Sequence, residues 1–342
     1  MVKRKQIFAS DNVVGLHPEA QNVLAEIPAG PHLAYGEDFY SKEINAVLGT
    51  FFKQEVIAFP VFNGTAANAL SLAALVKSYE AIACHTFAHA DLDECNAPEF
   101  FTGGAKLIGI EGENGKVCPD ALSVKIAERD DVHFPRIGAL SLTLSSEVGT
   151  VYTLDELAAL SDICKDHRIA IHIDGARFFN ALQTLDCSAS EIVEASGARV
   201  LSLGMVKIGA ALGEVVVFFD LEVAEGFAYR RKQAAQLSSK MAYLTAPIVS
   251  CLKSLVHNNA ERGNQCAQDL AAAFQLRGIE PAFPVEANAV FVRLSEPQRA
   301  GLRERGWVFY DFVANTQRFV CHWATQRSDI EALIDDLESV SG

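Results

Sequence analysis

The sequence predicts an α/β fold followed by a smaller α+β unit, and three observations carry that expectation. Short apolar runs alternate with helix-period segments from Val56 to Phe219, the polar and glycine-bearing motifs fall just after those runs, and the pattern changes character beyond Pro247. Alternation of this kind implies parallel strands joined by right-handed crossovers. Ligands of such open sheets bind beyond the carboxyl ends of the strands. At 342 residues the chain can bury a large core, and its length suits two domains. We expect residues 1–244 to form an N-terminal arm and the larger domain, and residues 245–342 the smaller one.

Residues 7 to 40 lack clear periodicity and are rich in Gly, Pro, His and Asp, which suits an arm over a site or over a neighbouring subunit, or a surface loop. From Ser41, Ile44, Val47, Leu48 and Phe51 recur at helical spacing. Val56 to Phe62 reads as a strand, and Asn63-Gly-Thr-Ala-Ala-Asn68 opens a helix whose first N–H groups, with the Thr65 hydroxyl, form an anion site. Ala81 to Cys84 is a strand with a polar cluster, His85 to Glu94, at its end; Phe101-Thr-Gly-Gly-Ala105 then turns the chain into a strand at Lys106 to Ile110. Pro119 to Arg129 reads as an exposed helix, Ile137 to Leu144 as a strand, and Thr153 with Glu156 as a capping box for the next helix. Strands follow at Ile169 to Asp174, Ala198 to Leu203 and Val215 to Phe219. Ala224 to His257 reads as mostly helical with a break at Pro247. Beyond it we expect helices at Ala260 to Arg277, from Pro297 and from Ser328, and strands at Val290 to Leu294, Trp307 to Tyr310 and Arg318 to Trp323.

Composition narrows the class. The net charge of −14, from 43 acids against 29 bases scattered without long runs, argues against nucleic acid as a partner. The cysteines at 84, 95, 118, 164, 187, 251, 266 and 321 form no C-x-x-C pair and no zinc spacing, so reduced thiols and no metal site are expected. Met1-Val-Lys-Arg-Lys5 is basic without the apolar core of a leader, and no run approaches the roughly 18 apolar residues of a membrane span. The expectation is a cytoplasmic protein with no membrane segment.

The chemistry centres on Ile169 to Lys207. One strand delivers Asp174 before Gly175, and the next stops at Gly204, three residues before a lone Lys207. A carboxylate to hold a proton on a pyridine nitrogen and an amine to form a Schiff base are the two groups that pyridoxal phosphate requires. Gly64 and Thr65 supply a phosphate cradle and His89 a ring to stack on the cofactor, each after a strand of the same alternating region.

With these motifs in place, the chain resembles the low-specificity L-threonine aldolases, a branch of the fold type I pyridoxal phosphate enzymes and of the β-eliminating lyase superfamily. The matching segments span nearly the whole chain: Ser10-Asp-Asn12, Tyr35-Gly-Glu-Asp38, Asn63 to Asn68, His89 with Asp93 to Phe101, Asp131-Val-His133-Phe, Ser146 to Tyr152, His172-Ile-Asp-Gly-Ala-Arg177 and Gly213 to Asp220. The resemblance implies an aspartate aminotransferase-like fold, with a mostly parallel seven-stranded sheet in the large domain and a small C-terminal α+β domain. It implies a homo-oligomer, dimer or tetramer, with sites at subunit interfaces. By the same resemblance Lys207 carries the cofactor, Asp174 binds its pyridine nitrogen, His89 stacks on its ring, and Gly64 and Thr65 hold its phosphate. Arg177 and Arg318 grip the substrate carboxylate with help from Ser10, His133 lies near the β-hydroxyl, and Tyr35 approaches from the partner subunit. Planar guanidinium groups suit that bidentate task.

The reaction so implied is retro-aldol cleavage of L-threonine, L-allo-threonine or related β-hydroxy-α-amino acids such as phenylserine to glycine and an aldehyde. His89 or His133, directly or through water, would take the hydroxyl proton. β-Elimination and racemisation draw on the same carbanion chemistry and are alternatives, as is a catalytically weakened paralogue. Three departures from the family pattern stand out. Val206 and Ile208 flank Lys207 where relatives carry polar residues, Ala242 replaces a common arginine after Met241, so that Lys240, Arg230 or Arg231 would have to compensate, and Val13-Val14 follow the Ser-Asp-Asn motif.

Overall fold

The computed structural model describes residues 5–341, and the basic stretch Met1–Arg4 lies outside them. Seven strands, β1 (Ile57–Val61), β2 (Ala81–His85), β3 (Lys106–Ile110), β4 (Ile137–Thr143), β5 (Ala170–Gly175), β6 (Val200–Leu203) and β7 (Glu214–Phe218), form one sheet in the order β1-β7-β6-β5-β4-β2-β3. Only β7 runs against its neighbours; β2 to β6 pair parallel. Every residue of β2, β5, β6 and β7 is buried, as helices on both faces require and as their unbroken apolar runs suggest. A second sheet, β8 (Ala289–Val292), β9 (Tyr310–Phe312) and β10 (Thr316–Val320), is antiparallel in the order β8-β10-β9. The mostly parallel seven-stranded sheet and the small α+β unit are thus both present.

Several local expectations shift. Residues 18–26 form a helix, Pro18–Glu26, started by Pro18 at its first position and capped by the His17 ring; it packs on helix Ala242–Ser254. Pro247 sits inside that helix, and the break falls at Leu255. The proline is tolerated because Leu244 to Val249 are all buried, and this packing outweighs one lost backbone hydrogen bond. The strand expected at Trp307 to Tyr310 begins at Tyr310, since Trp307 instead bridges to Lys5. The strand expected at Arg318 to Trp323 runs from Thr316 to Val320.

The larger core contains Leu244, Ile248, Val256 and Ala260, on either side of the turn after residue 254, while Ala267, Leu270 and Phe274 belong to the second. The two cores therefore divide within helix Val256–Gln275. The start of the described chain joins the second core: Phe8 is buried against Trp307 and Phe319, and its carbonyl accepts the Val320 N–H at 2.9 Å. That attachment delivers Ser10 and Asp11 to the seam between the units. Among the described residues no helix is long and apolar enough to cross a membrane.

Candidate active site

The sheet topology gathers the expected residues at one edge. Asn63–Thr65 follow β1, His89 follows β2, Glu147 follows β4, Asp174 is the next-to-last residue of β5 and Lys207 follows β6. Because β7 is antiparallel, its first residue, Glu214, returns to the same edge. These groups, with Ser10, Arg177 and Arg318, line a cavity of about 410 Å³, of the size that small-molecule sites occupy.

Asn63 caps helix Gly64–Leu75: its Oδ1 accepts the Ala66 N–H at 2.8 Å. The N–H groups of Gly64 and Thr65 have no intrahelical acceptor and carry the positive end of the helix dipole. A Cβ built at Gly64 would meet nothing within 4 Å, so this glycine leaves a cradle open rather than avoiding a clash.

At the centre, Asn68 Nδ2 donates to Asp174 Oδ2 and to Glu94 Oε1, both at 2.8 Å, and His89 Nδ1 lies 2.9 Å from the same Glu94 oxygen. The Glu94 hydrogen bond holds the His89 pKa above its usual value against the effect of burial; burial raises that of Glu94. Asp174 Oδ1 accepts the Ala176 N–H, which fixes its rotamer. Beneath it, His172 is fully buried between Ser141 and Ser202, 2.9 Å from each hydroxyl, and burial lowers its pKa to about 4. Lys207 lies in a 3₁₀ turn, Val206–Ile208. The Glu214 carboxylate accepts the N–H groups of Met205 and Val206 and so secures the entry to that turn, while its burial raises its pKa to about 7.

At the opposite end Arg177 Nε and Nη2 donate to the two Asp11 oxygens at 2.8 and 3.0 Å, and Asn288 Nδ2 adds a third hydrogen bond at 3.0 Å. Burial would raise the Asp11 pKa, but the Arg177 and Lys207 charges and these hydrogen bonds hold it far below the usual carboxylate range. Arg318 stacks over Phe312 and Tyr310 with centroid distances of 5.0 and 5.7 Å. Its Nε is buried without a partner. Ser10 borders the same space, its hydroxyl accepting the Asn12 N–H. Glu147 also faces in, with a pKa raised by burial and opposed by Arg177.

Two expected site residues stand elsewhere. Tyr35 is exposed, has φ 57° and packs under the Lys232 ammonium. His133 has an 84% exposed side chain, on the loop that precedes β4. That loop sits at the amino edge of the sheet, and the seven residues of β4 span about 20 Å to the edge where the cavity lies. Arg230, Arg231 and Lys240 do not line the cavity either; Arg231 instead donates to the Pro60 carbonyl. Conversely, Asp11, Asn68, Glu94, Glu147 and Glu214 all lay within motifs quoted from the sequence, yet their types alone did not distinguish them from ordinary cap, loop or strand-end residues.

The donors present suit pyridoxal phosphate. Lys207 makes no hydrogen bond or ion pair to the described residues, an anion cradle faces the cavity at Gly64 and Thr65, and a buried carboxylate stands at Asp174. The buried Arg318 Nε, without a partner among the described residues, is a donor beside the same cavity suited to a substrate carboxylate.

A family model described as beta-eliminating lyase matches residues 8–297. A low-specificity L-threonine aldolase from Pseudomonas aeruginosa is 43% identical over 100% of both chains, and one from another Pseudomonas strain is 40% identical over 99% of both. Among solved structures, a Leishmania major threonine aldolase superposes with a TM-score of 0.92 at 22% identity, covering 98% of this chain and 99% of its own. A Thermotoga maritima aspartate aminotransferase superposes with a TM-score of 0.76 at 12% identity, covering 98% and 92%. These two likenesses establish the fold.

Proposed function

The chain belongs to the β-eliminating lyase family, and we propose that within it the protein is a pyridoxal phosphate-dependent aldolase that cleaves L-threonine and related β-hydroxy-α-amino acids to glycine and an aldehyde. The observation that carries this reading is the convergence of Lys207, Asp174, His89 and two arginines on one cavity, in a chain 43% identical to an L-threonine aldolase.

Lys207 would be the amine that anchors the cofactor, Asp174 would pair with its ring nitrogen, and Gly64 with Thr65 would hold its phosphate. When bound, the cofactor supplies an electron sink for the charge left on the substrate's α-carbon. Arg318, with its unpartnered Nε, grips the substrate carboxylate, and Arg177 offers what its pairing with Asp11 leaves free. Ser10 adds a hydroxyl. A base at the cavity takes the β-hydroxyl proton, so that the Cα–Cβ bond breaks with its electron pair left on Cα and the aldehyde C=O forms.

We place the protein in a homo-oligomer, dimer or tetramer. In its support, Leu33, Tyr35, Phe39 and Leu212 are exposed apolar side chains, and Leu212 lies on the cavity wall. Tyr35 and His133, which stand outside their own cavity, would then serve a neighbour's.

The test is the spectrum of the purified protein with added pyridoxal phosphate, together with a product assay on threonine, allo-threonine, phenylserine and serine. Uptake of cofactor, loss of its bound-form absorption in Lys207→Ala, and glycine with aldehyde as products are expected. A protein that takes up no cofactor overturns the reading; pyruvate and ammonia as products replace it with β-elimination.

A further inference from the structure

We propose that Glu94 is a positioning residue that makes His89 the base of the reaction, and that Asn68 ties this pair to Asp174. The inference rests on the aldolase reading above. It starts from burial: the Glu94 side chain is 0% exposed, yet it is an acid whose outer oxygen, Oε2, has no partner among the described residues. Burying an acid with one oxygen unpaired costs stability whatever its role. Its inner oxygen meets two groups, His89 Nδ1 and Asn68 Nδ2. This is the arrangement in which a carboxylate fixes one imidazole tautomer and leaves the other nitrogen as the base. His89 Nε2 makes no hydrogen bond to the described residues, and the ring borders the cavity. His133, the other candidate base, stands outside its own cavity and would reach another only across a subunit interface.

Asn68 explains how two acids can lie so close. Its single NH₂ group spends both hydrogens on Glu94 and Asp174, and its Oδ1 is buried without a partner. Turning the amide over would set that oxygen against two carboxylates, so the orientation is fixed by charge. Asp174 is in turn the acid proposed to pair with the cofactor's ring nitrogen. A hydrogen-bonded path therefore runs from the ring-nitrogen partner to the base.

In the step itself the β-hydroxyl O–H bond breaks and its proton goes to His89 Nε2. The O–H electron pair becomes the aldehyde C=O as the Cα–Cβ bond breaks, and its pair stays on Cα. The proton returned to Cα gives glycine, so atoms and charge balance without another reactant.

The acids around His89 are Glu94, Glu147 and Asp174, all of which favour the imidazolium; Asp93 and Glu214 also face the cavity. The cations across it are Lys207, Arg177 and Arg318. Glu94→Gln changes only the member that touches the ring. In this variant we expect cofactor uptake equal to that of the parent, kcat lower by about 10- to 100-fold, KM within about threefold, and the acidic limb of kcat/KM moved to lower pH. The His89 imidazole, followed by nitrogen NMR with and without pyridoxal phosphate, should titrate at lower pH in the same way. Glu94→Asp, which keeps the charge, should recover part of the rate and the position of the limb. An unchanged imidazole titration in a folded Glu94→Gln protein overturns the proposal, as does a fall in rate with no movement of the limb. Failure of the parent to cleave threonine defeats the aldolase reading instead, and the NMR titration still decides the role of Glu94. If Glu94→Gln does not fold, the His89 titration in the parent decides: an imidazole that titrates at or below the ordinary 6.5 overturns the proposal. An Asn68→Ser protein whose imidazole titrates as in the parent overturns the link to Asp174.

Discussion

The Arg177 guanidinium is held along one edge, through Nε and Nη2, by Asp11, a residue 166 positions away whose carboxylate is fully buried. The arginine expected to grip substrate is thus aimed by the chain's own start, which is itself fastened to the smaller unit through Phe8. Breaking a buried pair on one side leaves the other charge uncompensated, at about 3–5 kcal/mol. Asp11→Asn should therefore lose stability of that order in urea unfolding. In protein that remains folded, KM for threonine should rise about tenfold, ~1.4 kcal/mol, with kcat changed little. An equal fall in kcat with KM unmoved would show that Arg177 does not act in binding.

His172 sets an acid limit on stability. Its pKa is 6.5 when unfolded and about 4 when folded. As pH falls below 6.5 the unfolded chain takes up a proton that the folded one resists, so stability declines between pH 6.5 and 4 and levels off below. The full loss is roughly 3 kcal/mol. Urea unfolding at several pH values should show this slope in the parent, and His172→Gln should flatten it.

Glu214 separates the shape of the lysine turn from its charge. Gln at this position still accepts the Met205 and Val206 N–H groups, whereas Ala leaves both buried without an acceptor, at about 1–3 kcal/mol. Pyridoxal phosphate affinity should therefore fall in Glu214→Ala well before it falls in Glu214→Gln. The pH dependence has the opposite sign to that of His172. A carboxyl raised from 4.5 to about 7 favours the folded state below 4.5, and this contribution is lost as pH rises through 7. Glu214→Gln removes that alkaline loss, which unfolding curves at pH 6 and 8 would reveal.

Gly204 is fixed by volume rather than by φ. A Cβ there would lie 2.4 Å from the Ala176 carbonyl oxygen, backbone that cannot yield without spreading the ends of β5 and β6. Gly204→Ala should cost about 1–3 kcal/mol. Because Asp174 and Lys207 leave from those two strand ends, cofactor uptake should weaken with it. A stable variant with parental uptake would show that the two ends move independently.

Much of this architecture was legible in order and kind. The alternating runs placed the strands of the larger sheet within a residue or two, and the breaks after them located Asn63–Thr65, His89, Asp174 and Lys207. Apolar periodicity reports how each segment is buried locally, and that is a property of the segment itself. Beyond the larger sheet the same signals slipped: Pro247 failed to break its helix, and Trp307 left the strand position to bridge Lys5.

By itself, the sequence determined which strands exist, that motifs follow them and that their chemistry suits pyridoxal phosphate. Only the tertiary structure decided which of those motifs meet. Reversal of β7 brought Glu214 beside Lys207, attachment of Phe8 to the smaller core brought Asp11 to Arg177, and the direction of β4 set His133 about 20 Å from the edge where it was expected. Strand direction and the edge at which a loop emerges are fixed by pairing between distant segments, and no local pattern of residues encodes them.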